Sequence, residues 1–322
     1  MLIPAAACTQ APIDTASIVI TDQAGRNVAL DEPAEKVVSC YYISTYAMLS
    51  LGLRDSIVGL EKKANTRPIY QMAAPELLEK PAVGTMKELN VEAVAALEPD
   101  LVIMPLKLAD YAETLSSLGI PTLMVNPENH EDLCEMLTLI GQACGVEDKA
   151  EALIKYYDKQ LKAVAKYTKK STKPTVYMGG NSSYLTAAPS GMYQGSLIET
   201  AGGINAAASL EGDYWTEVSY ESILAMNPDV IIIPAGAAYT KDDLLADKEL
   251  ASVKAIKNKQ LYAMPSGLEE WDSPIPSGIL GVLWLTSVLN TDSYSFADFT
   301  GDVQDFYSTF YGVSVDAALI TK

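Results

Sequence analysis

The 322-residue sequence predicts an α/β protein with two Rossmann-like lobes, each built on a parallel sheet, that are joined by one long α-helix. Three observations support this prediction. Short β-branched runs alternate with amphipathic stretches, residues 147–169 form an unbroken helical pattern, and residues 88–105 are repeated at 217–234. The predicted boundaries place an N-terminal lobe at 17–145, a linker helix at 146–171 and a C-terminal lobe at 172–322.

In the N-terminal part, short apolar runs predict buried strands, and the stretches between them predict helices. A strand at 18–21 leads into a turn at 22–25 and opens a hairpin. Two helices end at Gly52 and Gly145, because glycine readily adopts the left-handed conformation that closes a helix. The other predicted strands lie at 37–40, 56–60, 101–104 and 122–125, and the two helices lie at 45–51 and 132–144.

The 147–169 segment is interpreted as a strut between the lobes. It contains neither glycine nor proline over 23 residues, and its apolar residues recur every three or four positions. A helix of this length reaches roughly 35 Å, the span of a whole lobe. A second series of strands and helices starts at 175–180, which favours the strut over a long surface helix of one domain.

The internal repeat predicts that the two lobes are built alike. Residues 88–105 and 217–234 align without a gap, and seven of the eighteen positions are identical. Each copy is typical of a helix that stops before a Pro-Asp turn and leads into a buried strand, since proline disfavours a helical conformation in the residue before it. The repeat places Glu92 opposite Glu221, and Met86 opposite Trp215.

The composition excludes some classes of function. Lys and Arg number 23 against 41 Asp and Glu, and the formal charge of −18 argues against nucleic acid or an anionic membrane as the main partner. No apolar run approaches the roughly 18 residues that a bilayer-spanning helix needs.

The four cysteines are interpreted separately because none of them forms a CxxC pair of the zinc or redox type. Cys8 follows small residues and precedes an unpatterned segment, so residues 1–16 are interpreted as a signal remnant and lipoprotein tether with Cys8 acylated. The alternative is a disordered chain end. If Cys8 is acylated, three thiols remain and allow at most one internal disulfide, for which Cys134 and Cys144 are the pair of interest.

Sequence signals for an enzyme are weak, and neither a catalytic residue nor a metal site or cofactor is predicted. His130 is the only histidine and stands in a predicted loop, which excludes a site with several histidine ligands. Nucleophile elbows, Walker A loops and dinucleotide-binding glycine motifs are absent from the sequence. The acidic loop of Glu269, Glu270 and Asp272 is expected to be hydrated. A chelatase-like or metal-cluster enzyme is kept as the alternative of a different class.

Four segments resemble the periplasmic binding proteins for vitamin B12, haem and ferric siderophores, the class with a rigid helical linker. They are DxxGR at 22–26, NxE…LxPDLVI at 90–103, SLIETAGGIN at 196–205 and FYSTFYGV at 306–313. The resemblance implies an extracytoplasmic solute-binding subunit of an ABC importer, not an enzyme, found in the periplasm or at the cell surface as a lipoprotein. It implies a monomer that contacts the membrane only through its lipid anchor and serves a dimeric permease with its ATPase.

The same resemblance implies that one small ligand is held between the lobes and passed on unchanged. An iron complex, either a ferric siderophore or haem, is the expected ligand, with a corrinoid or an oxyanion as alternatives. In the B12-binding branch tryptophan stands at the positions resembling Met86 and Trp215, so Met86 argues against cobalamin itself.

Ligands of open α/β sheets bind beyond the carboxyl ends of the strands, so side chains that follow strands are the candidates. Tyrosines outnumber phenylalanines by 18 to 4, and a ring with a polar end suits a half-wet cleft, although surface or core-edge tyrosines are the alternative. Basic residues would suit an anionic ligand, although solvated lysines are common. The predicted ligand-binding residues are Tyr41, Tyr42, Lys62, Arg67, Met86, Lys87, Lys107, Tyr184, Tyr193, Trp215, Tyr239 and Trp271.

Glu92 and Glu221 are predicted to dock on the permease, one from each lobe. They match the transporter-docking acids of the B12 and siderophore families that the chain resembles. The alternative is that each carboxylate only stabilises the N-terminus of its own helix.

Overall fold

The computed structural model of the protein describes residues 18–169, 172–212 and 214–322. Within these residues the predicted α/β architecture with parallel sheets is confirmed. A long helix, α6 (Glu147–Tyr167), separates two sheets, and we call the parts before and after it the N-terminal lobe and the C-terminal lobe. The predicted tether at 1–16 and its Cys8 lie outside the described residues, and the predicted lobe boundaries stay predictions.

The N-terminal lobe is built on a sheet with the strand order β6-β5-β4-β3-β7-β8. Its neighbouring strands are parallel except at the β5–β6 edge, and β1 and β2 form a separate antiparallel hairpin. The strands are β1 (Ile18–Thr21), β2 (Asn27–Leu30), β3 (Val37–Ser39), β4 (Ile57–Glu61), β5 (Ala82–Thr85), β6 (Glu88–Leu89), β7 (Leu101–Pro105) and β8 (Thr122–Val125). The helices are α1 (Tyr42–Ser50), α2 (Pro68–Ala73), α3 (Val91–Ala95), α4 (Ala112–Ser117) and α5 (His130–Cys144).

Helix α5 corrects the prediction for His130. The Asn129 side chain accepts a hydrogen bond from the Asp132 amide and caps the helix, so α5 starts at His130 rather than at residue 132. His130 therefore lies in a first helical turn and not in a loop, and its ring stacks on Tyr157 with 5.0 Å between the ring centroids. The predicted C-terminal end of α5 is confirmed, because the helix stops at Cys144 and Gly145 takes the left-handed conformation with φ 68°.

Helix α6 packs on both lobes along its length. It ends two residues before the predicted end, and its buried face consists of Ala150, Leu153, Tyr157, Gln160 and Val164. This face contacts α5 in the N-terminal lobe and α11 in the C-terminal lobe, so one continuous core runs through both lobes and the helix between them. Tyr157 ties the helix to the C-terminal lobe because its hydroxyl donates a 2.9 Å hydrogen bond to the Ile275 carbonyl.

The C-terminal lobe is built on a smaller, fully parallel sheet with the order β11-β9-β13-β14. Strands β10 and β12 form a separate antiparallel pair. The strands are β9 (Thr175–Met178), β10 (Thr186–Ala187), β11 (Ile204–Asn205), β12 (Thr216–Glu217), β13 (Val230–Ile233) and β14 (Leu261–Ala263). The helices are α7 (Tyr193–Thr200), α8 (Tyr220–Met226), α9 (Lys241–Ala246), α10 (Lys254–Lys257), α11 (Gly278–Leu289) and α12 (Phe296–Phe310).

The two copies of the repeat fold alike, as α3–β7 and α8–β13. The Asp100 carboxylate accepts hydrogen bonds from the amides of Glu35 and Lys36, directly before β3, and the Asp229 carboxylate accepts from Thr175, the first residue of β9. In both lobes the Pro-Asp corner therefore fixes the start of the neighbouring central strand. The copies also share a left-handed residue after the helix, Glu98 with φ 47° and Asn227 with φ 43°.

Candidate ligand-binding site

The candidate site lies where the carboxyl ends of β3 and β4 face the loop that follows β14 across the boundary between the lobes. Four tyrosines form its N-terminal wall, each ring meeting the next edge to face. The centroid distances are 5.2 Å, 5.6 Å and 5.5 Å along the series Tyr41, Tyr42, Tyr46 and Tyr70. Burial raises the pKa of Tyr42 to about 12, so its hydroxyl stays protonated at neutral pH.

Arg67 is the cation of this wall. Because Pro68 follows it and opens α2, its backbone is extended, with φ −99° and ψ 105°. The guanidinium carbon lies 4.1 Å from the centroid of the Tyr42 ring and 5.8 Å from that of Tyr46, within cation–π range. The arginine side chain is 21% exposed, so its charge acts in partly desolvated surroundings.

Glu270 from the C-terminal lobe reaches across the boundary to this cation. Its Oε1 accepts a 2.8 Å hydrogen bond from Nη1 of Arg67, and its Oε2 accepts a 3.2 Å hydrogen bond from the Tyr46 hydroxyl. The sequence singled out Arg67 as ligand-binding but expected Glu270 to be a hydrated loop residue. The structure joins the two in an ion pair between the lobes.

A buried carboxylate supports the tyrosine wall from below. Glu61, the last residue of β4, is 6% exposed and accepts hydrogen bonds from the Thr45 hydroxyl at 2.9 Å and the Tyr70 hydroxyl at 2.8 Å. Burial raises the pKa of Glu61 above its ordinary value, although these hydrogen bonds oppose the shift. Sequence reasoning missed Glu61 and Tyr70 as members of the site, although Glu61 directly follows the strand predicted at 56–60.

The acidic loop of the C-terminal lobe is largely buried, which overturns the expectation that it is hydrated. Glu269 is 2% exposed and accepts hydrogen bonds from the hydroxyls of Tyr307 at 2.7 Å and Tyr311 at 2.9 Å. Asp272 is also 2% exposed. Burial raises the pKa of Glu269 and that of Asp272 to about 7.

The structure contradicts the prediction that Trp271 contacts the ligand. Its ring is fully buried, packs against Phe299 and donates a 3.0 Å hydrogen bond from Nε1 to the Tyr307 hydroxyl. Trp271 therefore anchors the acidic loop in the core. In the sequence, a tryptophan between acidic residues suggested an exposed position at the edge of the cleft. The side chains that bury it, Phe299 and Tyr307, belong to α12 and are not its neighbours in the chain.

A cavity of about 510 Å³ opens between the lobes at the mouth of the cleft. Exposed Lys107 and Glu128 line it from the N-terminal lobe, and Gly191 and the 70% exposed Tyr214 line it from the C-terminal lobe. Trp215 follows Tyr214 and is half-buried, with its ring against Gly180, the second residue after β9. The other two tryptophans, Trp271 and Trp284, are both fully buried.

The remaining predicted ligand-binding residues are dispersed. Tyr193 lines a different cavity of about 510 Å³ next to His130 and Tyr157. Tyr184 donates a hydrogen bond to Asp247, and the buried Tyr239 packs against the Tyr184 ring in a core of the C-terminal lobe. Lys62 and Lys87 are exposed, and Met86 is half-buried beside the β5–β6 turn. Ligand contact by these residues stays a prediction.

The two predicted docking residues occupy equivalent positions. Glu92 and Glu221 are both exposed in the first turns of α3 and α8. The side chains of Asn90 and Ser219 cap these helices, and backbone and Ser219 hydrogen bonds lower the pKa of Glu221. The repeat thus presents an exposed carboxylate at the same position in each lobe.

The described cysteines form no disulfide, and Cys40, Cys134 and Cys144 are all free thiols. Cys134 and Cys144 stand ten residues apart on α5, which separates them by roughly 15 Å of helix and prevents a bond. Among the described residues, groups of three or more metal-ligating side chains are not found. In the same part of the chain, every helix is too short or too polar to cross a bilayer.

Comparison with known proteins places the chain among solute-binding proteins. The family model described as periplasmic binding protein matches residues 37–268. The molybdate-binding protein MolA of Haemophilus influenzae is 26% identical over 92% of this chain and 91% of its own length. The ferric enterobactin-binding periplasmic protein FepB of Escherichia coli is 27% identical over 76% of this chain and 83% of its own. The crystal structure of a periplasmic solute binding protein from Veillonella parvula superposes with a TM-score of 0.83, at 26% identity and 94% coverage of both chains.

Proposed function

The chain belongs to the periplasmic binding protein family and is the extracytoplasmic substrate-binding component of an ABC importer, and we propose that its substrate is an anionic iron complex. Ferric siderophores and haem are the candidates. The solute binds between the lobes, at Arg67 and the tyrosine wall, and leaves unchanged for the permease.

The observation that supports this proposal is the half-buried Arg67 guanidinium between Tyr42 and Tyr46, at the boundary between the lobes. Hydrogen bonds from a guanidinium to anionic oxygens are roughly twice as strong as neutral ones, and partial burial strengthens them further. The aromatic rings beside Arg67 provide a flat apolar surface for the organic part of a chelate or for a porphyrin. Cation and rings together suit a charged complex with a large organic part.

An oxyanion is the second candidate because MolA, the relative that aligns over 92% of this chain, is named for molybdate. The same guanidinium would bind a tetrahedral oxyanion. Such a small anion would leave most of the tyrosine surface uncovered, whereas a siderophore or porphyrin would cover it. We therefore place the iron complex first.

Direct titration tests the proposed substrate class. Ferric enterobactin, haem, molybdate and cobalamin are each titrated into the protein while tryptophan fluorescence is recorded. An iron complex is expected to quench the half-buried Trp215, so Trp215→Phe should remove most of the quenching while leaving the fold intact, as circular dichroism would show. Trp284→Phe is the matched control, because the Trp284 ring is fully buried and donates a hydrogen bond from Nε1 to the Thr321 carbonyl. This substitution should leave most of the ligand-dependent quenching in place.

Arg67→Gln separates the anionic class from the neutral class of solutes. An anionic iron complex should lose about a hundredfold in affinity, since roughly 2.7 kcal/mol of charge-assisted binding is removed. Binding of cobalamin alone, or iron-complex binding that Arg67→Gln leaves unchanged, would contradict the proposed substrate class. Mass spectrometry of the released solute checks that it is unchanged, as expected of a transport protein rather than an enzyme.

A further inference from the structure

Glu270 is the residue of the acidic loop that points into the cleft while its neighbours are buried. Glu269, Trp271 and Asp272 are 2%, 0% and 2% exposed, whereas the Glu270 side chain is 38% exposed. The Tyr307 and Tyr311 hydroxyls hold Glu269, and the Trp271 ring is held in turn by Tyr307. The buried residues on both sides therefore fix the position from which Glu270 reaches Arg67.

The Glu270 carboxylate makes the contacts with Arg67 that an anionic ligand would make. One oxygen accepts from Nη1 of Arg67 and the other from the Tyr46 hydroxyl, at 2.8 Å and 3.2 Å. Within the described residues, the guanidinium donates only to Glu270 and Tyr46, and both hydrogen bonds come from Nη1. Its buried Nε has no hydrogen-bond partner there. Glu270 thus engages the cation at one point and leaves donors unused.

We propose that Glu270 is an internal competitor for the anionic solute, so that binding requires its carboxylate to be displaced from Arg67 and Tyr46. This inference depends on the proposed role of Arg67 in binding the solute. The measured affinity is then the intrinsic affinity reduced by the fraction of molecules in which Arg67 is free. Glu270 is in this sense a residue that determines specificity.

The contacts explain why displacement is possible. A single-point pair is weaker than the bidentate pair that arginine forms with a well-placed carboxylate or oxyanion, and the 38% exposed Glu270 side chain can return to water when it is displaced. A ligand with several anionic oxygens can replace the one contact with two or more. A weakly charged solute gains too little to do so, and competition by Glu270 therefore selects for highly charged complexes.

The competition also couples the solute to the contact between the lobes. The Arg67–Glu270 pair joins the N-terminal lobe to the C-terminal lobe, so a solute that displaces Glu270 removes one bond between the lobes and substitutes its own contacts. Because one core continues through both lobes and α6, the fold persists when this pair is broken.

Glu270→Gln tests the inference because it removes the charge and keeps the shape. Calorimetric titration with the probes named above, ferric enterobactin, haem and molybdate, should show about tenfold or tighter binding of the anionic probe than in the wild type, a change of about 1.4 kcal/mol. Glu249→Gln is the control, because it removes one exposed charge from the same lobe away from Arg67. It should change the affinity by less than about twofold.

A double variant shows whether the gain passes through Arg67. In the Arg67→Gln background, Glu270→Gln should give no further gain, since there is then no cation to release. An equal gain in both backgrounds would show only a general effect of charge and would overturn the inference. Glu270→Ser provides a second, smaller side chain, and the near-UV circular dichroism of each variant checks that it is folded.

The remaining outcomes separate this inference from the proposed function. If the wild type binds an anionic probe and Glu270→Gln binds it equally well, Glu270 is no competitor and the proposed function stands. If Glu270→Gln binds more weakly, Glu270 is itself a contact of the solute, and the inference is wrong. If no variant binds any anionic probe, both the proposed substrate class and the inference are overturned.

Discussion

The two sides of the cleft bury a carboxylate in the same way, but from positions that the internal repeat does not relate. In the N-terminal lobe Glu61, at the end of β4, accepts from Thr45 and Tyr70, and in the C-terminal lobe Glu269, after β14, accepts from Tyr307 and Tyr311. The repeat relates β7 to β13, and β14 pairs with β13, whereas β4 pairs with β3 and not with β7. The repeat therefore accounts for the scaffold of the lobes, while the buried carboxylates of the site lie outside the repeated segments.

The lobes also differ in the charge that they present at the cleft. The N-terminal wall offers the Arg67 cation among tyrosines, and the C-terminal loop offers Glu270 as its counterion. The outer surfaces differ less, because Glu92 and Glu221 stand at equivalent positions in both lobes. Residues that the repeat preserves in both lobes are thus expected to contact the dimeric permease. Residues that it does not preserve are expected to contact the solute.

The largest expected effect comes from removing Glu92 and Glu221, the two carboxylates that stand at equivalent positions of the repeat. Glu92→Ala combined with Glu221→Ala should keep solute affinity within about threefold yet abolish stimulation of the permease ATPase and uptake, since rim charges act on encounter and register. Assays in proteoliposomes with the cognate permease measure ATPase and transport directly. Each single variant should retain part of the stimulation if the lobes contribute equally. Loss of solute affinity in the double variant, or normal delivery by it, would contradict the docking role.

A smaller effect is expected from pH, because burial raises the pKa of both buried carboxylates, Glu61 and Glu269. The folded-state pKa of Glu269 is about 7, above its ordinary value of 4.5, so its stabilising contribution is complete below about pH 4.5 and is lost as the pH rises through 7. The loss amounts to about 3 kcal/mol. The groups that face this carboxyl are the hydroxyls of Tyr307, Ser277 and Tyr311 and the carboxylate of Glu270.

Glu269→Gln should therefore flatten the decline of the unfolding free energy between pH 5 and 8, as measured by urea denaturation. Glu61→Gln tests in the same way whether the raised pKa of Glu61 contributes to the decline of the unfolding free energy with pH. Glu249→Gln removes an exposed carboxylate and is the control, because it should leave this pH slope unchanged. A slope that Glu269→Gln does not alter would mean that folding does not raise the pKa of this carboxyl.

The smallest effect concerns the left-handed residue that follows the helix in each copy of the repeat, Glu98 and Asn227. Glutamate is poorly suited to φ 47°, whereas asparagine at the equivalent position tolerates the left-handed region. Glu98→Asn should raise the unfolding free energy by about 0.5–1 kcal/mol in thermal or urea denaturation. The reverse change, Asn227→Glu, should cost more than this, because it also removes the hydrogen bond from the Lys254 amide to the Asn227 side chain. If the two substitutions had equal and opposite effects, the hydrogen bond from the Lys254 amide to the Asn227 side chain would contribute nothing to stability.

The sequence predicted the α/β fold and the long helix because both depend on local pattern. Hydrophobic periodicity, helix-ending glycines and the ungapped repeat each act over a few residues, and α6 and the start of β7 were found within two residues. Arg67 and the tyrosines at 41–42 were predicted as ligand-binding residues because they follow strands, and the structure brings them together. Glu270 was noticed in the sequence but was interpreted as a hydrated acid.

The sequence by itself determined the repeated scaffold, the class of protein and the pair of outer carboxylates, since these follow from periodicity, resemblance and register. Only the tertiary structure decided that Trp271 is core, that Glu61 and Glu269 are buried acids and that Glu270 pairs with Arg67, 203 positions away in the chain. The physical reason is that burial and pairing depend on which distant segments meet. The pKa of a buried carboxyl and the pairing of a cation depend on contacts between these distant segments. They cannot be deduced from the residues adjacent in the sequence.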